Sequence, residues 1–206
     1  MVKTWDKAIE QNDYTLQKRK ELIHPSGFDE IQYFNSGKKD AFDIIEKCNL
    51  NKEQKILEFG CGDGRILRHL NNLLNVQGVD IVQKFIEESH NFNLKTCLLD
   101  ELKENDFNII YSLTVFIHLN KDDSKKALQY IYDHLKKGGL AYLQILVYGF
   151  DKDGTEFINL NFWKKETLIK MAQEIGFKVK HIEEMEGNIH KAQWARNHND
   201  FCIFEK

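Results

Sequence analysis

The chain has 206 residues, 42% hydrophobic and 12% aromatic, which is enough for one well-filled core and a single domain with at most a small appendage. Its 29 basic and 32 acidic residues leave a formal charge of −3 with the signs interspersed, so no long-range field gathers phosphates, and nucleic acid is not expected as a partner. No run of eighteen apolar residues and no basic-then-apolar leader occurs, so neither a membrane span nor a secretory signal is expected, and a cytoplasmic location is.

Residues 4 to 22 carry Trp5, Ile9, Leu16 and Leu22 among many charges, the pattern of a surface helix with an imperfect apolar stripe. Its basic run, Gln17-Lys18-Arg19-Lys20, is short enough to be a solvated helix face. Pro25 and Gly27 end the segment, Phe28 to Gly37 is a connector bearing Phe28, Tyr33 and Phe34, and Lys38 to Cys48 resumes a helix with Ala41, Phe42, Ile44 and Ile45 inward. A short apolar run then ends at Glu58. Gly60, Gly62 and Gly64 follow at every second position, and Ile66, Leu67, Leu70, Leu73 and Leu74 recur at helical spacing: strand, tight loop, helix. The spacing is G-x-G-x-G rather than the G-x-G-x-x-G of dinucleotide binders, which disfavours a nicotinamide oxidoreductase and argues for a ligand without pyrophosphate.

Val76 to Ile81 is a second strand whose end, Gly78-Val79-Asp80-Ile81, puts an acid where a ribose-binding carboxylate belongs; a purely structural Asp capping the next helix is the lesser alternative. Val82, Phe85 and Ile86 mark that short helix, and Leu94 to Leu99 is a third strand. Phe107 to Leu113, nearly continuous in apolar character, is a central parallel strand buried on both faces. Ala127, Leu128, Ile131, Tyr132 and Leu135 form a helix that Gly138-Gly139 ends, before a buried strand from Leu140 to Val147. Leu168, Ile169, Ala172 and Ile175 give the last helix, stopped at Gly176, and Phe177 to Ile182 and Phe201 to Phe204 are the final strands. This alternation predicts an α/β fold, a doubly wound, mostly parallel seven-stranded sheet. Cys48, Cys61, Cys97 and Cys202 lack metal or redox spacing, and no metal is expected.

The stretch Glu58-Phe59-Gly60-Cys61-Gly62-Asp63-Gly64 resembles the first motif of the class I S-adenosylmethionine-dependent methyltransferases, and the resemblance extends more loosely over residues 50 to 206. It implies a Rossmann-like methyltransferase domain at 50–206 whose last strand is antiparallel, preceded by residues 1–49 as an N-terminal helical lid; the alternative for the aromatics of that segment is that they only cover a sheet edge. It also implies S-adenosylmethionine as cofactor. Asp80 would accept from both ribose hydroxyls, Ile81 would lie against the adenine, Asp100 would receive the adenine amino group, and Glu58 would lie near the cofactor's ammonium. Gly60, Cys61, Gly62, Gly64 and Ser112 complete the expected cofactor contacts.

Methyl transfer from a sulfonium needs in-line placement, exclusion of water and, for a hydroxyl acceptor, removal of a proton. His118, in Leu113-Thr114-Val115-Phe116-Ile117-His118-Leu119, follows the fourth strand and is either the base or a packed, hydrogen-bonded histidine. The loop from Glu184 to Asn199 carries Glu186, His190, Lys191, Gln193, Trp194, Arg196 and His198, so His190 and His198 are further candidates for a base in an acceptor pocket. The Asn/Asp-Pro-Pro-Tyr signature of the family's amino-directed nucleic-acid enzymes is replaced by Ser112-Leu113-Thr114-Val115. The expectation is methylation of a small polar metabolite, at a hydroxyl of a sugar or sugar-like acceptor. The alternatives are N-methylation of a small metabolite and a non-catalytic S-adenosylmethionine-binding partner subunit. Oligomeric state is left open.

Overall fold

The computed structural model describes residues 30–151, 161–184 and 201–206. In chain order the elements are α1 (Glu30–Lys47), β1 (Lys55–Phe59), α2 (Leu67–Leu70), β2 (Asn75–Asp80), α3 (Gln83–His90), β3 (Thr96–Leu98), β4 (Phe107–Ser112), a 3₁₀ turn (Phe116–His118), α4 (Lys121–His134), β5 (Leu135–Gln144), α5 (Lys165–Ile175), β6 (Lys178–Ile182) and β7 (Phe201–Glu205). The strands form one seven-stranded sheet in the order β3-β2-β1-β4-β5-β7-β6. The pairs β1/β4, β2/β3 and β4/β5 are parallel, whereas β7 runs antiparallel to both β5 and β6. The seven-stranded, mostly parallel sheet with an antiparallel last strand is therefore present.

The chain divides into two compact units; Val82 and Phe85 cluster in the first, and Leu146, Tyr148 and Phe162 in the second. The first comprises, among described residues, 30–53 and 61–102. Its helix α1 buries one stripe, Tyr33, Gly37, Ala41 and Ile44, at three- and four-residue spacing, and α2 buries Leu67 and Leu70. The second comprises 54–60 and the described residues from 103 onward. There β1 and β4 pair as Ile56↔Ile109, Leu57↔Ile110 and Glu58↔Tyr111. Their side chains are almost wholly buried, as the near-continuous apolar runs require of strands covered on both faces. Each such aliphatic side chain contributes roughly 1.5–3 kcal/mol through burial.

Four local expectations change. The stretch from Glu30 to Gly37 is the first half of α1 rather than a connector, because Tyr33, Gly37, Ala41 and Ile44 continue one buried stripe without a break. Phe42, expected inward, is exposed, since it falls on the opposite side of that stripe. The glycine loop is followed by a single helical turn, α2, instead of a helix reaching Leu74. Finally, α4 ends at His134 and β5 starts at Leu135, so Gly138-Gly139 lies inside a strand. Gly138 has φ +74° and the β4/β5 register shifts between Phe107 and Ile109, so the glycines mark an irregularity in the ladder and not a helix stop.

Candidate active site

In an open parallel sheet, ligands bind beyond the carboxyl ends of the strands, where the strand order reverses; here that reversal lies between β1 and β4. The residues that follow β1, β2 and β4 are the ones to examine. In the first unit, Asp80 ends β2 and organises the glycine loop. Its Oδ2 accepts from the Gly62 amide at 2.9 Å and its Oδ1 from the Val82 amide at 3.0 Å. The Cys61 amide donates to the Val79 carbonyl at 3.0 Å, continuing the attachment of the loop to β2. Asp80 is not the residue that caps α3, which is Val82, yet its bond to Val82 shapes the turn into that helix.

Burial raises the Asp80 carboxyl from its ordinary 3.8 to about 6, and the charge of Asp63 pushes the same way; the amides of Gly62, Val82 and Ile81 oppose both. A carboxylate offers about four lone-pair sites, so acceptor capacity remains beyond these amides, as a pair of vicinal hydroxyls would need. Beside it, Gly62 has φ +54°, and a Cβ placed there would meet nothing within 4 Å. The loop backbone is thus bare on that side and open to close approach by a ligand. Ile81 is half-buried against Val82 and Phe85, whereas Asp100 is exposed in the turn after β3.

Asp63, inside the motif but given no role by the sequence, is buried. Its carboxylate accepts from Tyr33 Oη at 3.1 and 3.2 Å and from the Arg65 amide at 3.2 Å. An acid between two glycines was the available signal; its tyrosine partner, 30 residues upstream, was not legible.

In the second unit, Glu58 is buried near the end of β1, and Ser112, fully buried at the end of β4, donates its hydroxyl to the Phe59 carbonyl at 2.8 Å. Gly60 has φ +78°, and a Cβ there would stand 2.2 Å from Val115 Cγ2. Thr114 adopts φ +59°, which for a β-branched residue stores strain. Its amide donates to Gln144 Oε1 at 2.9 Å, so a buried side chain from the end of β5 holds the turn. No sequence signal marked Thr114, because backbone conformation is not written in residue type. His118 closes the 3₁₀ turn and is half-buried, with Nδ1 enclosed by protein. Asn161 secures that turn by donating its amide and Nδ2 to the Ile117 carbonyl at 2.9 and 3.3 Å. His190 and His198 lie outside the described residues.

The chain belongs to the methyltransferase-domain family, whose model matches residues 31–182. It is 28% identical over 142 residues to phosphoethanolamine N-methyltransferase of Plasmodium falciparum, covering 64% of this chain and 53% of that protein. It therefore spans about half the length of that relative. It is also 26% identical over 205 residues to malonyl-[acyl-carrier protein] O-methyltransferase of Bacillus anthracis, covering 88% of this chain and 73% of the relative. Among solved structures, a TehB-like SAM-dependent methyltransferase from Corynebacterium glutamicum has the same fold: TM-score 0.61, 20% identity, 96% of this chain and 98% of that one. Among the described residues no helix is long and apolar enough to cross a membrane.

Three substitutions test this geometry. Gly60→Ala is expected to lose about 2–4 kcal/mol in urea unfolding, from the left-handed backbone and the clash together. Adding Val115→Ala should recover the clash part, giving a favourable coupling in the double-mutant cycle. Thr114→Gly should gain about 1 kcal/mol, the released strain exceeding the entropy that glycine adds to the unfolded chain.

Proposed function

We propose that the protein transfers a methyl group from S-adenosylmethionine to a hydroxyl oxygen of a small polar acceptor of sugar-like chemistry. The observation that carries the reading is the Asp80 carboxylate, held by the Gly62 and Val82 amides beside a loop backbone bare of side chain. When bound, S-adenosylmethionine supplies an electrophilic methyl on a sulfonium that departs as a neutral thioether. Asp80 would accept from its ribose hydroxyls, and Ile81 would present its side chain to the adenine. Gly62 would offer backbone alone and so allow close approach of the ligand, with Cys61 and Gly64 on either side of it in the loop. Glu58 and Gly60 end the β1 side of the motif, Ser112 fixes the Phe59 carbonyl, and Asp100 would receive the adenine amino group. As the base, His118 would take the proton that the acceptor oxygen releases, a contribution of roughly 10²–10⁴-fold. A nitrogen acceptor is the second reading, favoured by the similarity to a phosphoethanolamine N-methyltransferase.

The pH dependence follows from Asp80. Its folded pKa, about 6, lies above the ordinary 3.8, so the folded protein holds this proton more tightly than the unfolded chain. The unfavourable burial of the charge is absent below about pH 4, grows between pH 4 and 6, and is complete above; over this window the group's contribution to stability falls as pH rises. Cofactor binding uses the ionised form and runs the opposite way. Calorimetry with S-adenosylhomocysteine should show affinity constant above pH 7 and falling by up to about tenfold per pH unit below pH 6. No binding at pH 7.5 would refute the reading, and a pH-independent affinity would remove Asp80 from it.

For His118, a turnover assay with a panel of sugars and amino alcohols decides. His118→Ala should lower kcat at least about a hundredfold with cofactor affinity nearly unchanged. Parallel losses of melting temperature and activity would make it a packing residue instead.

A further inference from the structure

Around the glycine loop of the first unit, two arginines that follow the motif are engaged in ways that a merely solvated pair would not need. Arg65 Nη2 forms an ion pair with Asp40 on α1, and both side chains are nearly inaccessible, 8% and 6% exposed. Its Nη1 donates to Ser36 Oγ at 3.0 Å. Arg68, half-buried, is wedged between the rings of Phe34 and Phe92, with Cζ 3.7 and 3.9 Å from their centroids. From there Nε donates to the Gly64 carbonyl at 3.2 Å and Nη2 to the Asp63 carbonyl at 3.3 Å. Along α1, Tyr33 bonds Asp63, the Phe34 carbonyl meets His69 Nε2 at 3.0 Å, and Gly37 lies so close that a Cβ would stand 2.2 Å from the Arg65 carbonyl oxygen.

A buried ion pair is a weak source of stability, since taking both charges out of water offsets most of their attraction, and an apolar pair would seal a helix at least as well. Charges in that position fix geometry. Arg68 acts on loop carbonyls directly, and its guanidinium keeps its plane because rings close it on two sides. We propose that Arg65 and Arg68 are positioning residues: through Asp40 and the Phe34–Phe92 pair they hold the Cys61–Gly64 backbone in its cofactor-receiving shape, making α1 a fixed brace of the loop. This rests on the cofactor reading above. It assigns the affinity of the site in part to residues that touch no ligand.

The test uses Arg68→Met, which keeps an apolar stem between the rings and removes both donors to the loop. S-adenosylhomocysteine should bind at least about tenfold more weakly, the S-adenosylmethionine KM should rise in step, and kcat should stay within about threefold. Arg68→Lys, with a charge but no fork, should fall between the two. In the ligand-free protein the amide resonances of Gly62 and Gly64 should move in Arg68→Met. Affinity within twofold of wild type with those resonances unmoved would overturn the proposal, whatever the melting temperature does. Should Arg68→Met not fold, Phe92→Leu at the exposed side of the wedge takes its place. About threefold weaker binding is then expected, and unchanged binding and resonances overturn the proposal. A wild type that binds no S-adenosylhomocysteine defeats the cofactor reading, while the glycine resonances still report on the brace by themselves.

Discussion

One carboxylate clasped by two backbone amides sets the geometry at the end of β2. Asp80 receives Gly62 on one oxygen and Val82 on the other, so a single side chain ties the loop on one side to the start of α3 on the other. Without it, two amide donors at chain reversals would lose their partners, at roughly 1–3 kcal/mol for each one left buried. The same burial that makes the amides valuable makes the charge expensive, which is why its pKa rises to about 6 instead of falling as hydrogen bonding alone would cause. A group kept ionised at neutral pH against its surroundings is in a state that further donors relieve, which is the physical ground for the ribose-binding role proposed for it.

The second unit is organised differently. Its loop after β4 is shaped by backbone: Thr114 in the left-handed region, the Gln144 amide oxygen that holds it, the Ser112 hydroxyl on the Phe59 carbonyl, and Gly60 lying where any side chain would meet Val115. Strain of this kind persists only where surrounding contacts over-determine it. The 3₁₀ turn bearing His118 follows at once, pinned through Ile117 by Asn161. Titratable groups do the positioning in one unit and dihedral angles do it in the other.

That contrast also decides what could be read in advance. Strands such as Phe107–Ser112 announce themselves because a doubly covered strand must be apolar at nearly every position, and the glycine triplet because all three positions take the positive φ that glycine favours. The acid at Asp80 was legible from its place at a strand end. Helix α1 hides its start because Tyr33 and Phe34 are adjacent and followed by Asn35-Ser36-Gly37, which reads as a connector until Tyr33 and Gly37 are seen as one stripe with Ala41 and Ile44. Gly138-Gly139 misled for the opposite reason: the pair that usually stops a helix also serves an irregular strand. Asp40 with Arg65, and Tyr33 with Asp63, escaped altogether, since pairings across 25 to 30 positions leave no periodic trace in a single sequence.

The placement of β7 bears on how the chain is made. Because β7 lies between β5 and β6, antiparallel to both, β5 has an unpaired edge from the moment it forms until residues 201–205 have left the ribosome. That edge carries the apolar residues Leu140, Ala141, Tyr142 and Leu143, a template on which another nascent chain can pair. β6 cannot close the gap early, having no ladder partner of its own except β7. Slow translation of the segment between β6 and β7 therefore lengthens the interval in which aggregation at this edge competes with folding.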